Sequence, residues 1–574
     1  MFLPTTKIEM TRLGWSRLDV VLITGDSYID SPYVGVSLIG HVLAASGYRV
    51  GIIAQPDIQD GQDISRLGEP RLFWGVTGGS VDSMVANYTA TGKRRKKDDF
   101  TPGGLNTRRP DRAVIVYTNL IRQYFKNTCP IVLGGIEAGL RRVSHYDFWS
   151  NTIRRSILFD AKADFLVYGM GEQTVIGLAQ RLDSGRSPQD LPGLCYISSK
   201  KIDGFLELPS HDTVSRSKPA FTDMFHEFYR QTDPKGATGL FQRQDTRYLV
   251  QNPPPPALHQ DQLDKLYEMG FEHTLHPSYS ALGVVKGLET IRFSITTHRG
   301  CYGQCHFCAI GVHQGTTVQW RSETSILREA KRLSQLPDFK GIIQDVGGPT
   351  ANMYGFECTI KRKRGICRHR NCLVPEICPH LKPDHSQFTK LLMKMRQLPE
   401  IKKIFIRSGL RHDLVLADQS HGMSWLDGVV RNHVSGQLKV APEHSNCNLL
   451  KLMGKPDIES LLEFKAHFDR LSTNAGKKQF LTYYFIAAHP GCSQHDMVQL
   501  KQFTDHRLRM TPEQVQIFTP TPATYSSLMY YTGKDPFTGR KIFVETDRRG
   551  KEKQKKILTQ KTLLRRHDNR RHGS

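Results

Sequence analysis

Asp19-Val20-Val21-Leu22-Ile23 is an apolar run that ends in a polar turn at Gly25 and Asp26, and apolar residues then recur at helical spacing at Val36, Leu38, Ile39, Val42 and Leu43 until Gly47. A second apolar run, Val50-Gly51-Ile52-Ile53, closes the unit. Strand, helix and strand in that order make one βαβ unit, which predicts a parallel sheet with helices on its faces. Ala113-Val114-Ile115-Val116, Ile131-Val132-Leu133 before Gly134-Gly135, and Phe165-Leu166-Val167 before Gly169 read as further strands of the same sheet. Residues 1–200 are therefore expected to form one Rossmann-like domain. The first turn carries no Gly-x-Gly-x-x-Gly, so the fingerprint of a dinucleotide enzyme is missing.

Working outward, residues 201–285 lose this regularity, and Pro253 to Pro256 form a four-proline run expected to act as a stiff connector. A second alternation begins near Glu289. Strand-like runs at Ile291 to Thr297, Gly341 to Ile343, Lys403 to Ile406, Gln437 to Val440, Phe480 to Ile486 and Val515 to Phe518 alternate with helical patterns, two of them stopped by Pro337 and Pro399. This places a full or partial (β/α) barrel over residues 286–540, with an insertion at 355–382, and such barrels carry their chemistry at the C-terminal strand ends. The fold class is thus α/β in both halves. Residues 541–574 are polar, with eleven lysines and arginines after Asp547 against Glu552 and Asp568, and read as a mobile basic tail. Lys93 to Lys97, with Arg108 and Arg109, read as a solvated surface loop.

The chain of 574 residues has 79 lysines and arginines against 55 acidic residues, a formal charge of +24 that favours polyanionic partners such as RNA. No apolar run approaches the ~20 residues of a membrane helix, and the N-terminal residues lack the apolar core of a signal peptide, so a cytoplasmic protein without a membrane partner is expected. Seven of the eleven cysteines fall between Cys301 and Cys378. In a cytosolic chain such bunching points to metal ligation before cross-linking.

Directly after the strand ending at Thr297 comes Gly300-Cys301-Tyr302-Gly303-Gln304-Cys305-His306-Phe307-Cys308. Three thiolates at i, i+4 and i+7 in a glycine-containing loop can bind three irons of a [4Fe-4S] cluster and leave the fourth open to a substrate. Zinc, with His306 or His313 as a further ligand, is the competing reading, although zinc usually takes two separated ligand pairs.

That spacing, the aromatic before the last cysteine and its place after a barrel strand resemble the radical S-adenosylmethionine superfamily. The resemblance implies that Cys301, Cys305 and Cys308 hold the cluster and that S-adenosylmethionine chelates the open iron. One electron would then release methionine and a 5'-deoxyadenosyl radical, supplied by a reductant such as flavodoxin or ferredoxin. It also implies that Phe307 packs by the adenine, that Gly347 and Gly348 in Asp345-Val346-Gly347-Gly348-Pro349-Thr350 approach the methionyl group, and that Glu443 in Val440-Ala441-Pro442-Glu443-His444 contacts the ribose or amine. Ser408, in Ser408-Gly409-Leu410-Arg411, joins the cofactor wall, for which His489-Pro490-Gly491 and Thr519-Pro520-Thr521-Pro522 are further candidates. Phe2-Leu3-Pro4-Thr5-Thr6, Gly51-Ile52-Ile53-Ala54-Gln55-Pro56, Gly347 to Gly355 and Lys439 to His444 are similar to the YgiQ-type branch, nearly to residue 540. Through Gly134-Gly135 and Tyr168-Gly169-Met170-Gly171-Glu172 the first domain also resembles cobalamin-binding domains. It offers no Asp-x-His-x-x-Gly stretch to ligate cobalt, so cobalamin is not expected.

Cys358, Cys367, Cys372 and Cys378 form a second group beside the basic run Lys361 to Arg364. Four thiols in 21 residues could hold an auxiliary iron–sulfur cluster or a structural zinc, or could be free. The reading is an enzyme that generates a carbon radical from S-adenosylmethionine and acts on an unidentified substrate. The alternative is a zinc-stabilised nucleic-acid-binding protein without radical chemistry.

Overall fold

The structure is a computed structural model that describes residues 1–367 and 370–560. Nine strands make the N-terminal sheet, in the order Leu206–Leu208, Leu240–Gln244, Arg247–Gln251, Leu194–Ser198, Phe165–Val167, Ile131–Gly134, Phe73–Thr77, Val20–Thr24 and Val50–Ala54. The five strands from Phe165–Val167 to Val50–Ala54 are parallel. Parallel strands are covered by helices on both faces, which is why they read as unbroken apolar runs. Every residue of Val20–Thr24 and Val50–Ala54 is buried.

Three sequence expectations are corrected here. Ala113 to Val116 is not a strand but the first turn of the helix Ala113–Tyr124. Four β-branched and small apolar residues do not reveal their period, and the context decides it: the Ser83 hydroxyl accepts the Ala113 N–H at 3.0 Å and the Glu137 carboxylate accepts that of Val114 at 3.2 Å. The strand position is filled by Phe73–Thr77. Residues 201–285 are not an irregular connector. They contribute three strands to the sheet and the helix Lys218–Arg230, which buries Phe221, Met224, Phe225 and Phe228. The chain from 541 does not begin a mobile tail: Asp547 caps a helix at Arg548–Thr559 whose Gln554 accepts the Ala488 N–H at 2.8 Å and donates to the Cys492 carbonyl at 3.0 Å, with Leu558 in the barrel core. The rest of the expected tail, 561–574, lies outside the described residues.

Six parallel strands of the second half follow in sequence order: Ser294–Thr296, Ile342–Ile343 continued by Asp345–Gly347, Lys403–Ile404, Gln437–Glu443, Phe480–Ala487 and Gln514–Ile517. Ladders join neighbours along this row, with a parallel bridge between Leu410 and Val440. Among the described residues no ladder joins the first strand to the last, so the barrel is an open, partial one. Its core packs Phe388, Trp425, Leu461, Phe464 and Phe468 from the surrounding helices.

The two halves are locked by a buried ion pair. Arg299, just before the cysteine loop, donates to Glu172 at 2.6 Å and to the Tyr267 hydroxyl at 2.9 Å. Glu172 opens the helix Glu172–Asp183 of the first domain. No helix among the described residues is long and apolar enough to cross a membrane.

Arg109 corrects the reading of the basic loop. Lys93 to Lys97 and Arg108 are exposed, but Arg109 is 1% exposed and bonds Asp26 at 2.7 Å, Asp98 at 3.0 Å and the Gly78 carbonyl at 2.6 Å. Removing one partner of a buried charged set leaves the others unpaired and costs about 3–5 kcal/mol. Arg109→Met is expected to lose that much in a urea titration, and Asp26→Asn with Asp98→Asn in the same chain should recover part of it. Equal midpoints for wild type and Arg109→Met would show that the triad carries no stability.

Candidate functional site

The cysteine loop is bent by backbone that only some residues tolerate. Gly300 has φ +80°, and a Cβ there would lie 2.3 Å from the Thr317 carbonyl oxygen. Gln304 also takes a left-handed φ of +48°. The loop is clamped from the far side of the barrel: the His306 N–H donates to the Met453 carbonyl at 2.9 Å and the Ser526 N–H to the His306 carbonyl at 3.0 Å. Gly454 completes the clamp, because a Cβ there would meet the Gln304 oxygen and the His306 ring at 3.2 Å. Met453 and Gly454, at the end of the helix Cys447–Met453, thus form the backing of the loop.

The three thiols sit around Gly303. Its N–H points at the Cys301 sulfur at 3.4 Å, and a Cβ on it would stand 3.2 Å from that sulfur and 3.8 Å from the Cys305 sulfur. The Thr350 hydroxyl is 3.5 Å from Cys301 Sγ, and Arg411 Nη1 is 3.9 Å from Cys305 Sγ. Burial pushes the Cys308 thiol up to about 12, with Cys305, Cys301 and Glu443 adding negative potential. Burial disfavours the thiolates of Cys301 and Cys308, and a bound iron would offset that cost.

Zinc fits this set poorly. A tetrahedral zinc with bonds of ~2.3 Å needs its sulfurs ~3.8 Å apart. Among the described residues only Asp384, Asp418 and His421 bring three ligating atoms within 4.8 Å of one another, so the loop's thiols stand wider than that. His306 is also committed elsewhere. His306 Nδ1 meets the Leu452 carbonyl at 3.0 Å and its ring packs on Tyr525 and Phe537. His313 lines the cavity between the halves.

That cavity, of about 480 Å³, lies between the C-terminal edge of the nine-stranded sheet and the mouth of the barrel. Gly75, Gly79, Gly134, Gly135 and Gly169 widen its sheet side between apolar side chains such as Leu22, Val36, Phe73 and Val132, and Gly347, Gly348, Pro349 and Ser408 line its barrel side. Crevices beyond the C-terminal ends of parallel strands are where such folds bind ligands. Gly348 faces His298, whose ring a Cβ would approach to 2.5 Å, and Ser408 is held by Asp345, which also accepts the Arg407 and Ser408 N–H groups at 2.7 and 3.1 Å. Two buried polar atoms on its wall have no partner among the described residues, Glu172 Oε2 and His313 Nδ1. Burial lowers the His313 imidazole to about 4, keeping it neutral.

Of the residues read from sequence, Cys301, Cys305 and Cys308 are gathered, Gly347, Gly348 and Ser408 share the adjoining cavity, and Thr350 connects the two sets. Glu443 is buried with φ +70° and lies 3.8 Å from Lys455. Burial lifts its carboxyl above the usual range against the pull of Lys455 and Arg411. Phe307 stands apart from the cavity lining, with its ring edge-on to His489 at 6.4 Å between centroids. Arg411 and Tyr229 were not singled out for these positions. Arg411 follows a quoted strand end, and Asp413 two residues on was its signal; Tyr229 comes from the helix taken for connector and lies by Cys308 and Cys305.

The Radical SAM N-terminal family matches residues 2–294, and a domain of unknown function (DUF3362) matches residues 513–572. A UPF0313 protein of Fusobacterium nucleatum is 54% identical over 561 residues, covering 98% of this chain and 99% of its own. The chain belongs to the radical S-adenosylmethionine superfamily. Another UPF0313 protein, of Thermotoga maritima, is 49% identical and covers 97% and 98% of the two chains. Membership supports an enzyme that binds a [4Fe-4S] cluster and S-adenosylmethionine, and the zinc-stabilised nucleic-acid-binding reading falls. Among solved structures, the methyltransferase TsrM from Kitasatospora setae is 13% identical with a TM-score of 0.49, covering 88% of this chain and 75% of that one. The cobalamin-dependent radical enzyme OxsB is 12% identical with a TM-score of 0.50, covering 91% of this chain but 57% of OxsB.

The expectation against cobalamin is corrected by that likeness. OxsB, which shares this fold, is solved with aqua-cobalamin bound. A missing histidine removes one possible bond to cobalt, whereas a corrin is a large ring held mostly by buried area, and a superfamily chain with a roomy cavity of glycines and apolar side chains gives no ground for ruling it out.

Arg411 pairs with Asp413 through both guanidinium arms beside the thiols. Burial alone would raise the Asp413 carboxyl, but Arg411 holds it at about 2. A carboxyl lowered on folding contributes stability that is present above its unfolded value and lost as pH falls through the folded one. Between pH ~4 and ~2 this pair should therefore cost the metal-free protein about 2 kcal/mol. Urea midpoints of an Arg411→Met, Asp413→Asn double variant are expected to fall less steeply over that window than those of wild type; parallel curves would refute the assignment.

Proposed function

We propose that this superfamily member cleaves S-adenosylmethionine reductively and directs the resulting radical at a substrate bound in the cavity between its two halves. The observation that carries this reading is the wide-set thiol trio of Cys301, Cys305 and Cys308, one residue from that cavity through Thr350. Cys301, Cys305 and Cys308 would hold a [4Fe-4S] cluster, which would supply the one electron needed to cleave a bound sulfonium to methionine and a 5'-deoxyadenosyl radical. The chain's own part is ligation, orientation and exclusion of water. Arg411 offsets the negative charge at Cys305, Gly347 and Gly348 leave room for close approach of the methionyl group, and Glu443 is placed by Lys455 for a polar contact to the ribose or amine. Water is kept out on the cluster side by Tyr229 and Tyr525.

The electron donor we infer to be an acidic one-electron carrier such as flavodoxin or ferredoxin. Arg362, Lys363 and Arg364 are exposed on the insertion that packs against the cysteine loop, where such a carrier would meet positive charge. Anaerobic protein given dithionite and S-adenosylmethionine is expected to release 5'-deoxyadenosine and methionine, and Cys305→Ala to release none while keeping the wild-type far-ultraviolet circular dichroism. Undiminished release from that variant would overturn the reading.

Cobalamin is a second reading, favoured by the roomy cavity between the halves and by the fold shared with OxsB. Its measurement is direct: hydroxocobalamin should co-elute with the protein in gel filtration with a shifted absorption band, and free elution would remove this reading alone.

A further inference from the structure

The insertion from Phe356 to Leu381 has no role in the chemistry above, yet it is anchored at several points. Glu357 accepts the Val318 N–H at 2.8 Å and the Cys358 N–H at 2.7 Å, and it pairs with Lys361 at 2.9 Å. Lys361 is 3% exposed and donates to the Thr316 carbonyl at 2.8 Å. Further on, Asp233 of the first domain accepts the Ile366 N–H at 2.6 Å. These bonds fix the chain around Cys358 and up to the residue before Cys367.

The cysteines converge. Cys358, Cys372 and Cys378 share one small core with Tyr302, Met353, Phe356 and Leu373, and Cys301 packs against its edge. Cys372 is the hub: its carbonyl accepts the Cys378 N–H at 2.9 Å, and its thiol is within electrostatic reach of those of Cys358 and Cys367. Among the described residues none of the four sulfurs takes part in a disulfide or a hydrogen bond. The four thiols, like the first trio, are not drawn to within 4.8 Å of one another, and the ~3.8 Å spacing of a single zinc is therefore not met. Nor do intervals of eight, four and five residues supply the close pairs that zinc usually takes.

We propose that Cys358, Cys367, Cys372 and Cys378 hold a second, fully cysteine-ligated iron–sulfur cluster, separated from Cys301 by the Tyr302 ring. Four protein thiolates leave no iron open, so this centre binds no S-adenosylmethionine. The Glu357–Lys361 pair, buried in the same insertion, holds the chain beside Cys358 in place, and a bound cluster would order the rest of the loop.

Iron and sulfide counts on the anaerobically reconstituted full chain test this without any variant. Wild type is expected to carry about eight of each with no zinc, as two cubanes require. A Cys301→Ala, Cys305→Ala, Cys308→Ala triple variant should keep about four irons, with broad absorption near ~400 nm and a reduced paramagnetic signal indifferent to S-adenosylmethionine. A Cys358→Ala, Cys372→Ala, Cys378→Ala variant should keep the other four, whose signal responds to it. About four irons in wild type, all lost in the first triple variant, would overturn the proposal, and so would one tightly held zinc per chain. Eight irons with no response to S-adenosylmethionine anywhere would instead sink the function proposed above and leave this site standing.

Discussion

The buried bond between Arg299 and Glu172 sets the geometry on which everything else depends. Arg299 ends the short segment that leads from the first barrel strand into the cysteine loop, and Glu172 opens a helix at the C-terminal edge of the first sheet. Both side chains are at most 5% exposed, so their separation would strand a charge in an apolar place. The pair therefore holds two parallel-strand systems mouth to mouth. Parallel strands end in loops whose backbone N–H groups and glycines are free for ligands, and this protein directs two such ends at one cavity. Tyr267 seals the joint by accepting from Arg299 and lying under the guanidinium groups of both Arg299 and Arg321. Glu172 also lines the cavity, and its Oε2 is buried without a hydrogen-bond partner among the described residues, so the residue that docks the halves also borders the space between them.

What could be read beforehand was local chemistry and strong periodicity. Gly300 to Cys308 announces its ligand set because the donors lie within one loop, and the six barrel strands announce themselves as apolar runs between helices stopped by proline. What could not be read depended on distant partners. Ala113 to Val116 has the composition of a strand and becomes a helix because Ser83 and Glu137 cap it. Arg109 looks like its charged neighbours, and only the convergence of Asp26 and Asp98 takes it out of water. The helix Arg548–Thr559 is almost entirely polar and basic; its inward residues, Lys551, Gln554 and Leu558, recur at helical spacing, but two of the three are polar and find their partners on the barrel. The interdomain cavity was legible only in pieces: Gly134-Gly135, Gly169 to Glu172 and Gly347-Gly348 carry a resemblance each, but nothing in the sequence says that they face one another.

The cobalamin expectation failed for a related reason. A ligand motif is a statement about one bond, and its absence says nothing of the rest of a binding site. Shape carries more of the recognition of a large flat ring than any single donor, and shape is a property of strand ends brought together by the fold.

The two cysteine groups make the complementary point. Thiols that are to hold a polynuclear centre must be kept apart as well as brought together, since each sulfur meets a different iron. Gly303, with no side chain, sits between two of the first three sulfurs, and Tyr302, directly before it, is shared with the core that holds Cys358, Cys372 and Cys378. One residue thus points its backbone neighbour into the first site and its ring into the second. A shift of Tyr302 would therefore disturb both cysteine groups, since its ring lies in the core beside Cys358 and Cys378 while its chain neighbours Cys301 and Gly303 belong to the first loop.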